Sequence, residues 1–377
     1  MKLTVNIARI LVGSLFIFSG LVKAIDPLGL AYKMQEFFEV WAADGYFKNL
    51  MERLHHNALG FSVFMITLEV VLGTALIIGW QKKITTWLLL LLTLFFTFLT
   101  SYVLFSGKIR ACGCFGDCIP LTPVQTFTKD IILTLLIILI LIGQKHIKPL
   151  LKNWMLHLKI VGATAFTIWL QFYVQKHLPV KDCLPYKEGN NILELRKIPK
   201  DATYDKFFYS YIYKKDGQEK EFGMDQLPDS TWEYVKEGSK KLIEKGNGKT
   251  ALIHDFSLTT QSGNDTTEAL LSTQGEYYLL FIKDKFPGEE EWSATIAYMM
   301  LRNTNIPHFV VSSQPDAIDA LFNKGREKAH VPVLTCDGTA IKTAARSNPT
   351  LYKMKGAVVQ KKYGWADLRK ALENRSN

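Results

Sequence analysis

The sequence predicts an α-helical membrane bundle, a four-helix core with a fifth span, followed by a soluble α/β domain. Residues 1–176 contain five apolar runs near the ~20 residues that a bilayer requires, whereas 177–377 reads as mixed soluble sequence. The charge divides in the same way, with 16 basic and 8 acidic residues in the first part and 29 and 27 in the second. The soluble part is therefore almost neutral, and most of the net charge of +10 belongs to the membrane part. The near-neutral charge of the soluble part argues against a nucleic-acid partner.

The apolar runs each have the length and composition of a membrane helix. A removable signal peptide is the alternative for the first run, which Lys2 and Arg9 open. Further spans follow it, and this favours a retained helix. The predicted spans are 5–24, 60–80, 84–105, 127–143 and a weaker one at 154–174.

The lysine-rich joins at 82–83 and 145–152 predict the topology, because cytoplasmic loops carry an excess of Lys and Arg. We therefore expect a bacterial inner-membrane protein with a cytoplasmic N-terminus. The loops at 26–58 and 107–126, and all residues after 176, then lie in the periplasm. Within the first of these loops, residues 30–41 have apolar side chains at helical spacing, which predicts a helix along the membrane surface or over the bundle mouth.

The soluble part mixes strand and helix patterns, which is typical of an α/β domain. A hairpin is predicted for 204–213 and 220–222 around Asp216-Gly217, and a helix for 232–245. From residue 251 a βα pattern begins, with 251–258 followed by a polar turn. Further strands are predicted at 277–282, 308–312, 331–334, 350–354 and 357–361, and further helices at 266–271, 290–304, 315–323 and 365–374.

Three of the five cysteines, Cys112, Cys114 and Cys118, lie between the third and fourth spans. A bridge between Cys112 and Cys114 would close a small, strained ring, and strained disulfides are the more oxidising ones. Lys108 and Arg110 would favour the reactive thiolate. The alternatives are a structural disulfide and inert thiols. A metal site is not predicted, because three sulfurs lack an evident fourth ligand.

Ionisable side chains also lie within the predicted spans, where they are usually functional or paired. Glu69 falls near the middle of the second span, and Lys23 at the outer end of the first is its expected partner. Asp130 opens the fourth span directly after Lys129. Either these groups form a polar lock that orients the helices, or they form a proton path beside the thiols.

The cysteine loop at 112–118 and the ionisable residues of the spans give residues 1–145 a resemblance to the MauE/DoxX family of membrane proteins, and to DoxX-like proteins of Bacteroidota in particular. The resemblance implies a thiol–disulfide role, since MauE is implicated in maturing methylamine dehydrogenase, whose small subunit is rich in disulfides. The four-helix bundle with outer cysteines is also similar in architecture to vitamin K epoxide reductase. The matching motifs are Phe18-Ser19-Gly20, Lys23, Asp26-Pro27, Leu68-Glu69, Cys112-Gly113-Cys114-Phe115-Gly116 and Lys129-Asp130.

Residues 251–377 resemble a thioredoxin-like domain of the peroxiredoxin or TlpA type, with Pro349 as the cis-proline of that fold. The sequence departs from that pattern at residues 283–290, where no Cys-x-x-Cys follows the first core strand. We therefore expect this domain to bind clients or to cap the membrane site. Cys183, in a proline-flanked neck near the membrane, is the better candidate to reach the 112–118 loop, and Cys336 is expected to be a buried thiol.

Two functions remain open at this stage. The favoured one is a membrane thiol–disulfide oxidoreductase or maturation factor for exported, thiol-containing proteins, acting through Cys112, Cys114 and Cys118. A quinone in the bundle could accept its electrons. The alternative is a non-enzymatic scaffold whose thioredoxin-like domain binds a partner; a transporter lacks the support of an inverted repeat. The predicted domains are a transmembrane domain at 1–150, a fifth helix at 151–178, a neck and hairpin region at 179–250 and the thioredoxin-like domain at 251–377.

Overall fold

The computed structural model describes residues 1–109, 116–283, 306–323 and 332–368. Five of its helices are long and apolar enough to cross a membrane, and a sheet-containing α/β region follows them. The chain is thus a membrane protein, as the sequence predicts. The spans are α1 (Lys2–Ala24), α4 (Ala58–Ile78), α5 (Lys82–Ser106), α6 (Pro123–Ile142) and α7 (Asn153–His177).

Spans α1 and α4 approach each other closely where two glycines face each other. A Cβ on Gly13 of α1 would lie 2.9 Å from the carbonyl oxygen of Gly73 in α4, and one on Gly73 would lie 2.8 Å from that of Gly13. Bulkier residues would therefore push the two helices apart. This close approach is typical of helix packing in membranes, where van der Waals contact between small residues drives association.

Two shorter helices cover one end of the bundle. Helix α2 (Pro27–Ala43) begins at Asp26, whose side chain accepts a hydrogen bond from the Gly29 amide, and α3 (Lys48–His56) follows it. The face of α2 that packs on the bundle is the apolar face that the sequence predicts, and of the two expected placements the helix takes the one over the bundle mouth. Helix α3 was not predicted. The buried apolar side chains of α2 are Leu30, Ala31, Met34, Phe37 and Phe38.

The other end of the bundle carries the lysine-rich joins. Lys82 donates to the carbonyl oxygen of Ile147 at 3.2 Å, and the amide of Leu150 donates to that of Ile78 at 3.0 Å. Arg9 donates to carbonyl groups at the end of α4, including Leu76 at 2.8 Å. The two joins therefore meet at the end opposite to α2, and the soluble region follows α7 at the same end as α2.

A three-stranded antiparallel sheet, ordered β2–β1–β3, comes first in the soluble region. Strands β1 (Lys206–Lys215) and β2 (Gln218–Gly223) form the predicted hairpin. The helix predicted at 232–245 is wrong, because this segment is β3 (Glu233–Glu244). The Lys and Glu content of this segment favours a helix, whereas Gly238 disfavours one. Pairing with the aromatic strand β1 decides the outcome. One contact of this pairing is that of Lys240, whose ammonium lies 4.2 Å from the ring centroid of Phe207.

A six-stranded mixed sheet forms the second part, ordered β4–β7–β6–β5–β8–β9, with β5, β6 and β7 parallel. The strands predicted around 277–282, 308–312, 331–334, 350–354 and 357–361 are present. Residues 251–258 bury apolar side chains without forming a strand, so that prediction is wrong. The strands are β4 (Thr259–Thr260), β5 (Glu276–Ile282), β6 (His308–Ser312), β7 (Val333–Thr335), β8 (Thr350–Lys355) and β9 (Val358–Gly364).

Helices pack on this sheet. The predicted helices at 266–271 and 315–323 are present, the predicted helix at 290–304 lies outside the described residues, and the closing helix is described only at its start, as a 3-10 turn (Trp365–Asp367). The amphipathic pattern did not reveal the short helices at 192–196 and 338–344. The helices are α8 (Ile192–Arg196), α9 (Thr267–Leu271), α10 (Pro315–Asn323) and α11 (Gly338–Ala344).

One carboxylate gives the three-stranded sheet a predictable pH dependence. The Ser210 and Ser239 hydroxyls and the Ser239 amide donate to Glu221 and lower its pKa to about 2. Because this value lies below the ordinary 4.5, the carboxylate stabilises the sheet above about pH 4.5 and loses that contribution as the pH falls toward 2. We expect Glu221→Gln to lower hydrogen-exchange protection of β1 and β3 at pH 6, with the difference from wild type shrinking at pH 3.

Glu219→Gln on the same strand is the matched control and should leave that protection unchanged at both pH values. Equal protection of wild type and Glu221→Gln at pH 6 would contradict the assignment.

Candidate functional site

A disulfide joins the membrane bundle to the soluble region. Cys118 lies between α5 and α6, and Cys183 lies in the neck after α7, 65 residues further along the chain. The Cα atoms are 4.9 Å apart, and both residues are half-buried. The bridge requires both cysteines to lie on the same side of the membrane. The two spans between them, α6 and α7, bring the chain back to that side, as the predicted topology has it.

Each cysteine of the bridge follows an aspartate that pairs with a buried cation of the C-terminal region. The guanidinium of Arg346, just after α11, donates to Asp117 at 3.1 Å. The ammonium of Lys362 on β9 donates to Asp182 at 2.6 Å. The two cationic side chains are only 6% and 4% exposed. Both ends of the disulfide are therefore held to the C-terminal region by charge-assisted hydrogen bonds, which are the stronger kind.

Arg346 also donates to Asp26, the N-cap of α2, at 2.8 Å. Burial raises the pKa of Asp26, and the Arg346 charge opposes that rise. Burial alone would lower the pKa of Arg346, but the charges of Asp26 and Asp117 and the hydroxyl of Tyr32 together raise it. The guanidinium is thus a fixed positive charge between two carboxylates of the membrane domain.

Lys362 is held differently. Burial lowers its pKa, and the carboxylate of Asp182 opposes this effect. The backbone amide of Lys362 donates to Glu188 at 2.9 Å, and the amide of Leu184 donates to Asp182 at 3.0 Å. The neck around Cys183 is therefore fastened to β9 at several points.

The C-terminal end of β5 faces α2. The ammonium of Lys283, directly after β5, lies 3.2 Å from the hydroxyl of Tyr32, and the backbone amide of Lys283 donates to the side chain of Asn348 at 3.0 Å. The Asn348–Pro349 peptide bond is cis. Lys342 and Arg346 each lie 5.4 Å from the centroid of the Tyr32 ring. A tyrosine of the membrane domain thus sits among cations of the soluble region.

A cleft of about 860 Å³ opens beside the disulfide. Cys183 lines it, together with residues of α2, the neck and α11. A second, much smaller cavity of about 10 Å³ is lined by both cysteines. The cleft has the size of a site for a small ligand or a short peptide segment. Its charged lining residues are Lys33, Glu36, Glu39, Asp117, Lys187, Lys342 and Arg346.

The ion pair expected in the bundle is present. Lys23 donates to both carboxylate oxygens of Glu69, at 2.6 and 2.8 Å, and to the Ser19 hydroxyl at 3.0 Å. Its ammonium also lies 4.8 Å from the centroid of the Phe96 ring. The pair links α1 to α4 in the bundle interior, where a lone charge would be costly.

Asp130 of α6 belongs to the same region of the bundle. It accepts from the Thr100 hydroxyl at 3.1 Å and pairs with Lys129 at 2.8 Å. A cavity of about 30 Å³ is lined by Lys23, Glu69 and Asp130 among others, which is room for a bound water molecule. The structure therefore brings the three predicted intramembrane polar residues together around one polar cavity.

The remaining cysteines divide into two groups. Cys112 and Cys114 lie outside the described residues. Cys336 follows β7 and is buried, and burial raises the pKa of its thiol to about 12. A thiol in that state is a poor nucleophile. Cys118 of the predicted loop thus forms its disulfide with Cys183, the neck cysteine that was expected to reach this loop.

Sequence reasoning missed the cations that hold the bridge. The repeated dipeptide Asp-Cys, at 117–118 and 182–183, was a visible signal that two cysteines share one chemical setting. Arg346 and Lys362 gave no local signal, because they lie 229 and 180 residues from their aspartates.

Comparison with known proteins supports a MauE-like membrane region. Residues 1–143 match the family described as methylamine utilisation protein MauE. Residues 207–245, which contain most of the three-stranded sheet, match a domain of unknown function, DUF8463. The first 143 residues are thus similar to a family of membrane proteins, and no activity follows from the second match.

A curated relative is Protein TlpB of Flavobacterium psychrophilum, 28% identical over 196 residues. The match covers 49% of this chain and 50% of the relative, so the chain spans about half the length of the curated relative it matches. No solved structure matches the chain.

Proposed function

We propose that this membrane protein carries out thiol–disulfide exchange, as an oxidoreductase or maturation factor for exported proteins. The observation that carries the proposal is the Cys118–Cys183 bridge, half-buried at the edge of a cleft of about 860 Å³. Two further cysteines, Cys112 and Cys114, belong to the same inter-span segment as Cys118. A thiolate can open a disulfide, and a second exchange can re-form it.

The setting that we propose is the bacterial inner membrane, with the N-terminus in the cytoplasm and the C-terminal region in the periplasm. The lysine-rich joins meet at one end of the bundle, and the disulfide lies beyond the other end, which supports this orientation under the positive-inside rule. Disulfides persist in oxidising compartments such as the periplasm. A quinone near the cavity of Lys23, Glu69 and Asp130 is the electron acceptor that the proposal allows.

We further infer that residues 251–377 have a thioredoxin-like fold. The parallel core of β5, β6 and β7 and the antiparallel β8 and β9 support this inference. Residues 283–290 stand where a Cys-x-x-Cys motif would follow β5, and Lys283, the first of them, contacts Tyr32 of the membrane domain. This domain would then serve to hold the bridge and its cleft, with the chemistry carried by the cysteines near the membrane.

A scaffold function is the second candidate, favoured by the ion pairs of Arg346 and Lys362 on either side of the bridge. In that case the disulfide would only fasten the soluble region to the bundle. The two candidates differ in whether the bridge passes to another protein.

Transfer of the disulfide to reduced, unfolded ribonuclease A tests the proposal. The purified oxidised protein would lose one bridge and gain two thiols, while the ribonuclease loses two thiols and gains one bridge. We expect Cys118→Ser/Cys183→Ser to slow this transfer at least about tenfold, because the exchangeable bridge is gone. Cys336→Ser is the matched control and should keep the wild-type rate. Transfer no faster than in buffer would exclude the exchange function and leave the scaffold.

A further inference from the structure

The two sulfurs of the bridge have different surroundings. Cys183 lines the cleft of about 860 Å³, a volume that suits a short peptide segment. In the described part of the chain, Cys118 lines the cavity of about 10 Å³, beside Val22 and Ile25, and is not among the residues that line the cleft. A reagent in the cleft therefore meets Cys183 first.

We propose that a thiolate from a client cysteine enters through this cleft, attacks Sγ of Cys183 and expels Cys118 as the leaving thiolate. The inference rests on the proposed exchange function and names the sulfur at which it begins. The client sulfur forms a bond to Cys183 as the bond between Cys183 and Cys118 breaks, and the electron pair of that bond goes to Cys118. The products are one mixed disulfide and one thiolate, so no other oxidant or reductant is needed.

The anchoring of the two cysteines supports this direction. Cys183 belongs to a neck that is fastened to β9 through Asp182, Glu188 and Lys362. It can therefore hold a client while the soluble region stays in place. Among the described residues, Cys118 is held to the C-terminal region through its neighbour Asp117, which accepts from the shared guanidinium of Arg346 and is 47% exposed. Cys118 is therefore the cysteine that can more easily move away from the bridge as the leaving thiolate.

Arg346 is a positioning residue in this step. A thiolate on Cys118 forms next to the carboxylate of Asp117, which would oppose it. The guanidinium of Arg346 compensates Asp117 and Asp26 together, from a place where its side chain is 6% exposed. A nearby cation favours a thiolate, and a better leaving thiolate leaves faster. Arg346 thus favours the departure of Cys118 by compensating the charge of Asp117.

The test uses the full-length protein with Cys112→Ser, Cys114→Ser and Cys336→Ser, so that the bridge is its only cysteine pair. A short peptide with one cysteine is added briefly, the reaction is acid-quenched, free thiols are alkylated, and the two positions are mapped by mass spectrometry. We expect peptide on Cys183 and alkyl label on Cys118, with at least about a fivefold preference. Peptide mainly on Cys118, or equally on both, would overturn the inference while the exchange function stands.

A bridge that forms no adduct at either position would overturn the inference, and the exchange function would fall with it if the wild-type protein, which keeps Cys112 and Cys114, forms no adduct either. The role of Arg346 has its own readout. Arg346→Gln should slow adduct formation about threefold to tenfold and move alkylation of the released Cys118 to higher pH, and Arg346→Lys should restore much of both. Lys353→Gln is the matched control, because Lys353 on β8 pairs with Glu276 on β5. An unchanged pH profile in Arg346→Gln would contradict the positioning role.

Discussion

Replacing Lys23 with methionine is expected to cost about 3–5 kcal/mol of stability, because it leaves the carboxylate of Glu69 buried without a partner. The side chains of Lys23 and Glu69 are only 2% and 5% exposed, and they link α1 to α4 inside the bundle. The measurement is thermal unfolding of the purified protein in detergent. We expect a Tm well below that of wild type.

The double variant Lys23→Met/Glu69→Met should recover more than half of this loss, because it removes both charges and leaves apolar side chains of similar length. The matched control is Lys33→Met, which breaks the pair of Lys33 and Glu36 on α2. Those side chains are 32% and 38% exposed, so the cost should stay below about 1 kcal/mol. A Lys23→Met protein as stable as wild type would contradict a structural role for the pair.

The second large effect is expected for Arg346→Met, which removes the cation between Asp26 and Asp117. We expect a loss of about 2–4 kcal/mol at pH 8, since a buried partner is left uncompensated. Burial already raises the pKa of Asp26, and loss of the Arg346 charge raises it further. Protonation of Asp26 at lower pH relieves the defect, so the gap between variant and wild type should narrow from pH 8 to pH 5.

Thermal unfolding at both pH values, together with proteolysis of the neck at 178–190, checks this expectation. Lys353→Met is the control, because Lys353 pairs with Glu276 on the sheet and not with the membrane domain. The same loss at pH 8 and pH 5 would show that Asp26 does not carry the effect.

The membrane part followed closely from the sequence. Span length and apolar composition predict all five helices, since a bilayer leaves few other structures for such runs. The pair of Lys23 and Glu69 was predictable for the same reason: two opposite charges at similar depth gain most by meeting. The amphipathic pattern of α2 likewise predicted a helix along the membrane surface or over the bundle mouth, and the helix lies over the bundle mouth.

The soluble part shows where such reasoning fails. Strand β3 carries the residues of a solvated helix, and its partner β1 makes it a strand, so tertiary pairing overrides local preference. The bridge required Cys118 and Cys183 to be brought together across α6 and α7, which no local pattern specifies. Arg346 and Lys362 reach Asp117 and Asp182 beside the bridge only because the folded C-terminal region places them next to the membrane bundle.

The reduction potential of the Cys118–Cys183 bridge tests the central claim most directly. The full-length protein, poised in a series of redox buffers, would have its free thiols trapped with a mass tag and mapped at each potential. Thiol exchange predicts that Cys118 and Cys183 become reduced together, with a midpoint above about −230 mV, among the oxidoreductases. A bridge that resists reduction below about −300 mV would be structural, and the exchange function would be wrong.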